Sequence, residues 1–279
     1  MVDMSVPTVT LNNGVTMPQL GFGVFQVPPN EAFDAVRTAL EVGYRSIDTA
    51  AIYGNEEEVG KAIRASGLPR EEVFVTTKLW NSDQAYDDAL RAFDESMARL
   101  GLEVLDLYLI HWPMPAVGRY MDAWRALQRI YEEGRVRAIG VSNFTVRTLQ
   151  RVIDESGVVP AVNQIELHPR LPQAELRAFH ARHGIATESW GPLGQGKGLL
   201  EDPVLARLAD KHGRTPAQIV LRWHLQLGCI VIPKSVTPSR IAENIDVFDF
   251  ALDEEDMARI ATLDTGERLG FDPETMNMA

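Results

Sequence analysis

The chain has 279 residues, 45% of them hydrophobic and 24% charged, a balance typical of a soluble globular protein. Its 27 Lys and Arg stand against 39 Asp and Glu, giving a net charge of −12. That sign argues against nucleic acid or an anionic membrane as the main partner, and an anionic ligand would need a local basic cluster.

The start, MVDMSVPTVT, lacks a basic segment and a long apolar core, so no signal peptide is expected. No apolar run approaches the ~20 residues of a membrane span. TVTLNNGVTM reads as a hairpin around Asn12, Asn13 and Gly14, residues that tolerate the positive φ of a tight turn. Short apolar strands then alternate with amphipathic helices. The strand candidates are LGFGVF, RSID, VFVTTK, LDLYLIH, VRAIGVS, AVNQIE, IATESW and CIVIPK. Residues 31–43, 84–101 and 121–134 carry helical apolar spacing and stop at Gly43, Gly101 and Gly134. Two further helices, DPVLARLADKHG and TPAQIVLRWHLQLG, fill the long gap before the last strand. The single cysteine, Cys229, lies in an apolar run and reads as a core residue. It allows no intrachain disulfide and suits a reducing cytoplasm.

The strand candidates end at Gly23, Asp48, Lys78, His111, Ser142, Gln164, Trp190 and Lys234. Eight strand–helix units without a Pro/Ser-rich linker predict one (β/α)₈ barrel over residues 1–279, an α/β TIM barrel with the hairpin closing its N-terminal end. In such a barrel the strands' C-terminal ends form the mouth where chemistry sits. Asp48, Lys78 and His111 end three consecutive strands, and Tyr53 follows five residues after Asp48. A free tyrosine, with a pKa of about 10, is a sluggish acid near neutrality. A neighbouring cation lowers that value. Lys78 is the candidate cation, Asp48 its partner, and His111 a donor to a substrate oxygen. The four together suit protonation of a carbonyl oxygen as it becomes an alkoxide. No serine or cysteine nucleophile is evident, so hydride addition is the natural partner reaction.

PKSVTPSRIAEN, after the eighth strand, offers Lys234, Ser235 and Arg240 for a phosphate, and GPLGQGKG after the seventh offers close backbone approach. Two other motifs fail. GNEEEVGKA has five residues between Gly54 and Gly60, Ala62 in place of Ser or Thr, and three glutamates where phosphate would lie. No GxGxxG opens a helix after a strand, so no Rossmann site is expected.

GYRSIDTAAIYGNEEEVG and IPKSVTPSRIAENIDV, with HWP, VSNF, NQIELHP and SWGPLGQGKG, resemble the signatures of the aldo-keto reductases over nearly the whole chain. The wording looks most like the bacterial branch containing 2,5-diketo-D-gluconate reductases. The resemblance implies an NADPH-dependent carbonyl reductase. Tyr53 would donate the proton, Asp48 and Lys78 would lower its pKa, and His111 would orient the carbonyl. Ser142, Asn143 and Gln164 would bond the nicotinamide carboxamide, and Trp190 would stack on the ring. Lys234, Ser235 and Arg240 would hold the 2′-phosphate, with Glu243 and Asn244 near the adenine. Gly23, Gly191, Leu193, Gly196, Val236 and Thr237 would line the same cofactor. Phe25, Trp80 and Trp112 would wall the substrate pocket.

The stretch after His111 and the tail RLGFDPETMNMA are short beside those of family members with long closing loops. An open site for small or polar carbonyls, dicarbonyls and keto-sugars is therefore expected. A monomer with no metal, acting on a small molecule, fits this reading. Two competing readings are a cofactor-binding redox sensor with slow turnover and a metal-dependent barrel hydrolase. The latter would need strand-end ligands, typically HxH after the first strand, and LGFGVF has none.

Overall fold

The structure, a computed structural model, describes residues 5–279. Residues 1–4, on which part of the signal-peptide reading falls, lie outside the described residues. Strands β1 (Thr8–Thr10) and β2 (Thr16–Pro18) pair antiparallel, with Val9 opposite Met17. Gly14 takes φ +87° in the turn between them, the backbone region that glycine enters at no steric cost. Leu11 and Met17 are buried in a cluster with Phe74, Leu107, Leu109, Val162 and Ile230. The turn is tied to the strands' N-terminal ends. Asn12 Nδ2 donates to the Pro160 carbonyl (3.1 Å), and Asn13 Nδ2 to that of Arg137 (2.9 Å). The hairpin thus closes the bottom of the barrel.

Eight strands follow: β3 (Phe22–Gly23), β4 (Ser46–Asp48), β5 (Phe74–Leu79), β6 (Leu105–Ile110), β7 (Val136–Ser142), β8 (Val162–Glu166), β9 (Ala186–Trp190) and β10 (Ile230–Val231). Each lies parallel to its neighbour in chain order. The ends of this sheet meet. Leu20 bridges Val231, Gly21 N–H donates to the Val231 carbonyl (2.9 Å), and Gly23 N–H to that of Pro233 (3.0 Å).

Helices α1 (Pro29–Glu41), α2 (Glu56–Ala65), α3 (Tyr86–Leu100), α4 (Tyr120–Glu132), α5 (Val146–Ser156), α6 (Ala174–His183), α7 (Pro203–His212), α8 (Pro216–Gln226), α9 (Pro238–Ile245) and α10 (Glu254–Ala261) accompany the sheet. The expected stops hold: Gly101 takes φ +66° and its N–H reaches the Met97 carbonyl at 2.8 Å. Helix α1 begins two residues before the expected Glu31, because a proline at the first helical position is pre-set for helical φ. Among the described residues no helix is long and apolar enough to cross a membrane.

The rejected P-loop stretch turns out to be the start of α2. Its three glutamates occupy the first turn, where the helix dipole favours negative charge. Gly60 faces α3: a Cβ there would lie 2.0 Å from the Leu100 carbonyl oxygen. That contact is backbone and cannot give way. Gly60→Ala is expected to cost roughly 1–3 kcal/mol, the scale of overpacking. Thermal unfolding followed by circular dichroism checks this, and an unchanged midpoint would mean that α2 and α3 do not approach so closely.

Candidate active site

Asp48 ends β4 and Lys78 lies next to the end of β5. Asp48 is in register with Thr76, and Lys78, two residues on, shares the face of Thr76. Lys78 is wholly buried, and its ammonium donates to Asp48 Oδ1 (2.5 Å) and to the Thr49 carbonyl (2.9 Å). Its third neighbour is the Tyr53 hydroxyl at 3.5 Å. Burial pulls the Lys78 pKa down, but Asp48 and the other nearby groups outweigh it and hold the ammonium above its ordinary range.

Tyr53 closes a short 3₁₀ turn, Ala51–Tyr53, and Gly54 leaves that turn at φ +68°. The loop is fixed by buried Asn55, which accepts from the Thr49 hydroxyl (2.7 Å) and donates to the Val24 and Val27 carbonyls (3.1 Å each). Burial raises the Tyr53 pKa. Lys78 pulls it down, Asp48 pushes it up again, and the net direction is upward. This differs from the expected lowering, because burial of the phenol is the largest effect and outweighs the pull of Lys78, which Asp48 partly offsets.

His111 follows β6. Its ring meets Tyr53 and Trp80 edge-on, with centroids 5.7 and 5.3 Å away. Its Nδ1 is buried without a partner among the described residues, which leaves Nε2 to bond a ligand. Burial, then the Lys78 charge, holds the imidazole well below its usual pKa, so it is neutral at pH 7.

The next strand ends continue the site. The Ser142 hydroxyl donates to the Gln164 carbonyl (2.8 Å). Asn143, at φ +61°, donates to the His111 carbonyl (2.9 Å), and its Oδ1 accepts from Trp190 Nε1 (2.8 Å). Gln164 Nε2 donates to Asp48 Oδ2 at 2.7 Å, joining this group to the ion pair. The seventh-strand loop runs through Gly191 (φ +60°), Leu193 and Gly196 (φ +70°). Gly23 packs on the start of the eighth-strand loop, where a Cβ would meet the Ile232 carbonyl oxygen at 3.1 Å.

Lys234, Val236, Thr237 and Arg240 lie exposed on that loop and the first turn of α9, at the same mouth. Neither Lys234 nor Arg240 has an ion-pair partner among the described residues. The Ser235 hydroxyl accepts from Thr237 N–H (3.0 Å). Asn244 is buried, and Glu243 is held by the hydroxyl of Thr215, the residue that caps α8 (2.8 Å). Among the described residues no group of three His, Cys, Asp or Glu could hold a metal ion.

The tail corrects the expectation of an open mouth. Glu166, fully buried on β8, accepts N–H bonds from Leu269 (2.5 Å) and Gly270 (2.9 Å), while His168 Nε2 lies 2.9 Å from it. Gly270 passes so close to Trp190 that a Cβ would lie 2.6 Å from its ring. Beyond it, Glu274 bonds Thr145 and Arg147, and Asn81 Nδ2 donates to the Met278 carbonyl (2.7 Å). Met276 is buried against Trp112 and Met114, and Phe271 meets Trp112 edge-on at 6.3 Å. Phe25 stays exposed beside Tyr53, with centroids 5.2 Å apart. The twelve residues RLGFDPETMNMA read as an uncovering tail, but backbone amides on a buried carboxylate fasten it across the mouth. No spacing rule marked Glu166 or Asn81, although a carboxylate inside the apolar strand reading AVNQIE was the available signal.

Comparison with known proteins agrees with this architecture. A sequence model of the aldo/keto reductase family matches residues 18–265. An aldo-keto reductase of Mycolicibacterium smegmatis is 59% identical over 97% of this chain and 98% of its own length. Methylglyoxal reductase DkgA of Escherichia coli (strain K12) is 55% identical over 97% of this chain and 98% of its own. The crystal structure of a Gox0644 mutant in complex with NADPH matches with TM-score 0.93 at 53% identity, covering 98% of this chain and 99% of that one. The chain belongs to the aldo/keto reductase family.

Proposed function

We propose that this protein reduces small aldehydes and ketones with NADPH, and that Tyr53 gives the proton. The observation that carries the reading is the buried Lys78 ammonium held between Asp48 and the Tyr53 hydroxyl. The structural neighbour solved with NADPH and the relative named methylglyoxal reductase support it.

The residues fit such a cofactor. Lys234, on the loop before α9, and Arg240, in its first turn, are cations without an ion-pair partner among the described residues, suited to the 2′-phosphate. Ser142, Asn143 and Gln164 present amide and hydroxyl groups to a carboxamide, with Trp190 alongside. NADPH supplies the hydride.

The chain's own groups do the rest. His111 donates through Nε2 to the carbonyl oxygen and orients it. Tyr53, its pKa raised, is protonated at neutral pH, the state a proton donor needs. As the oxygen gains charge, the phenol passes its proton to it, and Lys78 stabilises the phenolate that remains. Asp48 keeps Lys78 charged and in place. Phe25, Trp80 and Trp112 wall the space beside Tyr53 and His111. The tail over Trp112 shortens that space, favouring compact substrates such as a dicarbonyl. All these groups come from one chain, so the reaction needs no second subunit.

Tyr53→Phe is expected to lower reduction of methylglyoxal at least about 10²-fold, the scale of general acid catalysis, while NADPH binding changes little. Loss of NADPH absorbance measures the first and tryptophan quenching the second. Full turnover in this variant would remove Tyr53 from the mechanism. Arg240→Ala is expected to weaken NADPH by about 1.5–3 kcal/mol, the worth of one charged hydrogen bond, and to leave NADH nearly unaffected. Equal losses for both nucleotides would place the 2′-phosphate elsewhere.

A further inference from the structure

The mouth contains a titratable group with no part in the proton transfer. Glu188 lies on β9, paired in register with Gln164 of β8, and is fully buried. Its Oε2 accepts from Gln164 Nε2 at 3.0 Å, and its Oε1 has no partner among the described residues. Gln164 Nε2 also donates to Asp48 Oδ2 at 2.7 Å. A leucine would fill this space without the cost of a buried carboxyl, so packing does not explain the residue.

The geometry has a consequence for the amide. Both carboxyls bond the same atom, Gln164 Nε2, and together they occupy both of its hydrogens. Turning the amide over would set its oxygen against the Asp48 carboxylate. The amide therefore has one orientation, with Oε1 left as a free acceptor. The charged and titratable groups facing Glu188 are Asp48, Lys78 and, beyond them, Tyr53. Burial, then Asp48, pushes the Glu188 carboxyl up to about 8. Near neutrality it is mainly protonated. It still accepts through Oε2, and it adds little negative charge beside Lys78.

We propose that Glu188 is a positioning residue. With Asp48 it fixes the Gln164 amide so that an acceptor oxygen, not a donor nitrogen, meets the nicotinamide carboxamide. An acceptor there selects the amino end of the carboxamide. This rests on the NADPH reading above.

The test uses the full-length protein with Glu188→Ala and Glu188→Gln. Calorimetry compares NADPH with 2′,5′-ADP, which carries the same phosphate and no nicotinamide. Glu188→Ala is expected to weaken NADPH roughly tenfold, the scale of one hydrogen bond, and to leave 2′,5′-ADP unchanged. Glu188→Gln keeps an acceptor oxygen and is expected to restore NADPH binding. Unchanged NADPH binding in Glu188→Ala would overturn the proposal. So would equal weakening of both ligands, or a Glu188→Gln variant as impaired as Glu188→Ala. A wild-type protein that binds 2′,5′-ADP but gains nothing from the nicotinamide would overturn the function proposed above, and this inference with it.

Discussion

A lysine with no exposed surface is the constraint on which the mouth of this barrel depends. Desolvating an ammonium costs several kcal/mol, and only close, well-shaped acceptors repay it. Asp48 and the Thr49 carbonyl are those acceptors. Meeting that demand turns the chain inward at Thr49, and Asn55 then locks the loop through three hydrogen bonds. Tyr53 lies between these two fixed points. Its hydroxyl is held near Lys78 by the same contacts that make burial of the lysine tolerable, so stability and chemistry share one set of bonds.

The arrangement also explains why the phenol's pKa moves up. A lone cation would lower it, and that is the usual inference from a lysine beside a tyrosine. Here burial of the phenol is the largest effect and raises its pKa, while Asp48, 2.5 Å from the ammonium against the phenol's 3.5 Å, offsets part of the lysine's pull. Lys78 then acts less by making Tyr53 acidic at rest than by receiving the charge that proton donation creates.

Much of this was legible in the sequence because a parallel strand buried on both faces is an apolar run, and a polar residue at its C-terminal end stands out. Asp48, Lys78, His111 and Ser142 were visible in that way, and so was the hairpin from Asn12 to Gly14. Other features were hidden for physical reasons. Helix α2 was obscured because its first turn is acidic and its glycine resembles punctuation, whereas Gly60 is there to let Leu100 approach. Helix α6 buries only Phe179 and His180, too narrow a stripe to show as a period. Glu188 sits inside IATESW, where alternation shows that it shares a face with Trp190 but not that it reaches Gln164 on the next strand. The hold of Glu166 on the tail joins residues more than a hundred positions apart, which no local pattern encodes.

The net charge of −12 poses a problem for a mouth suited to an anion, and the site solves it locally. At physiological salt, exposed charges beyond about 8 Å are largely screened, so the nearest groups decide. Three buried carboxyls at the mouth are answered on the spot. Asp48 has Lys78. Burial favours protonation of Glu166, but His168 and the amides of Leu269 and Gly270 outweigh it and keep the carboxylate ionised. Glu188 takes the other route and holds its proton near neutrality. With those three accounted for, Lys234 on the loop before α9 and Arg240 in its first turn are left without an ion-pair partner among the described residues. The acidic surface and the anion site are compatible because the acids near the mouth are spent on structure, while the two cations are kept free.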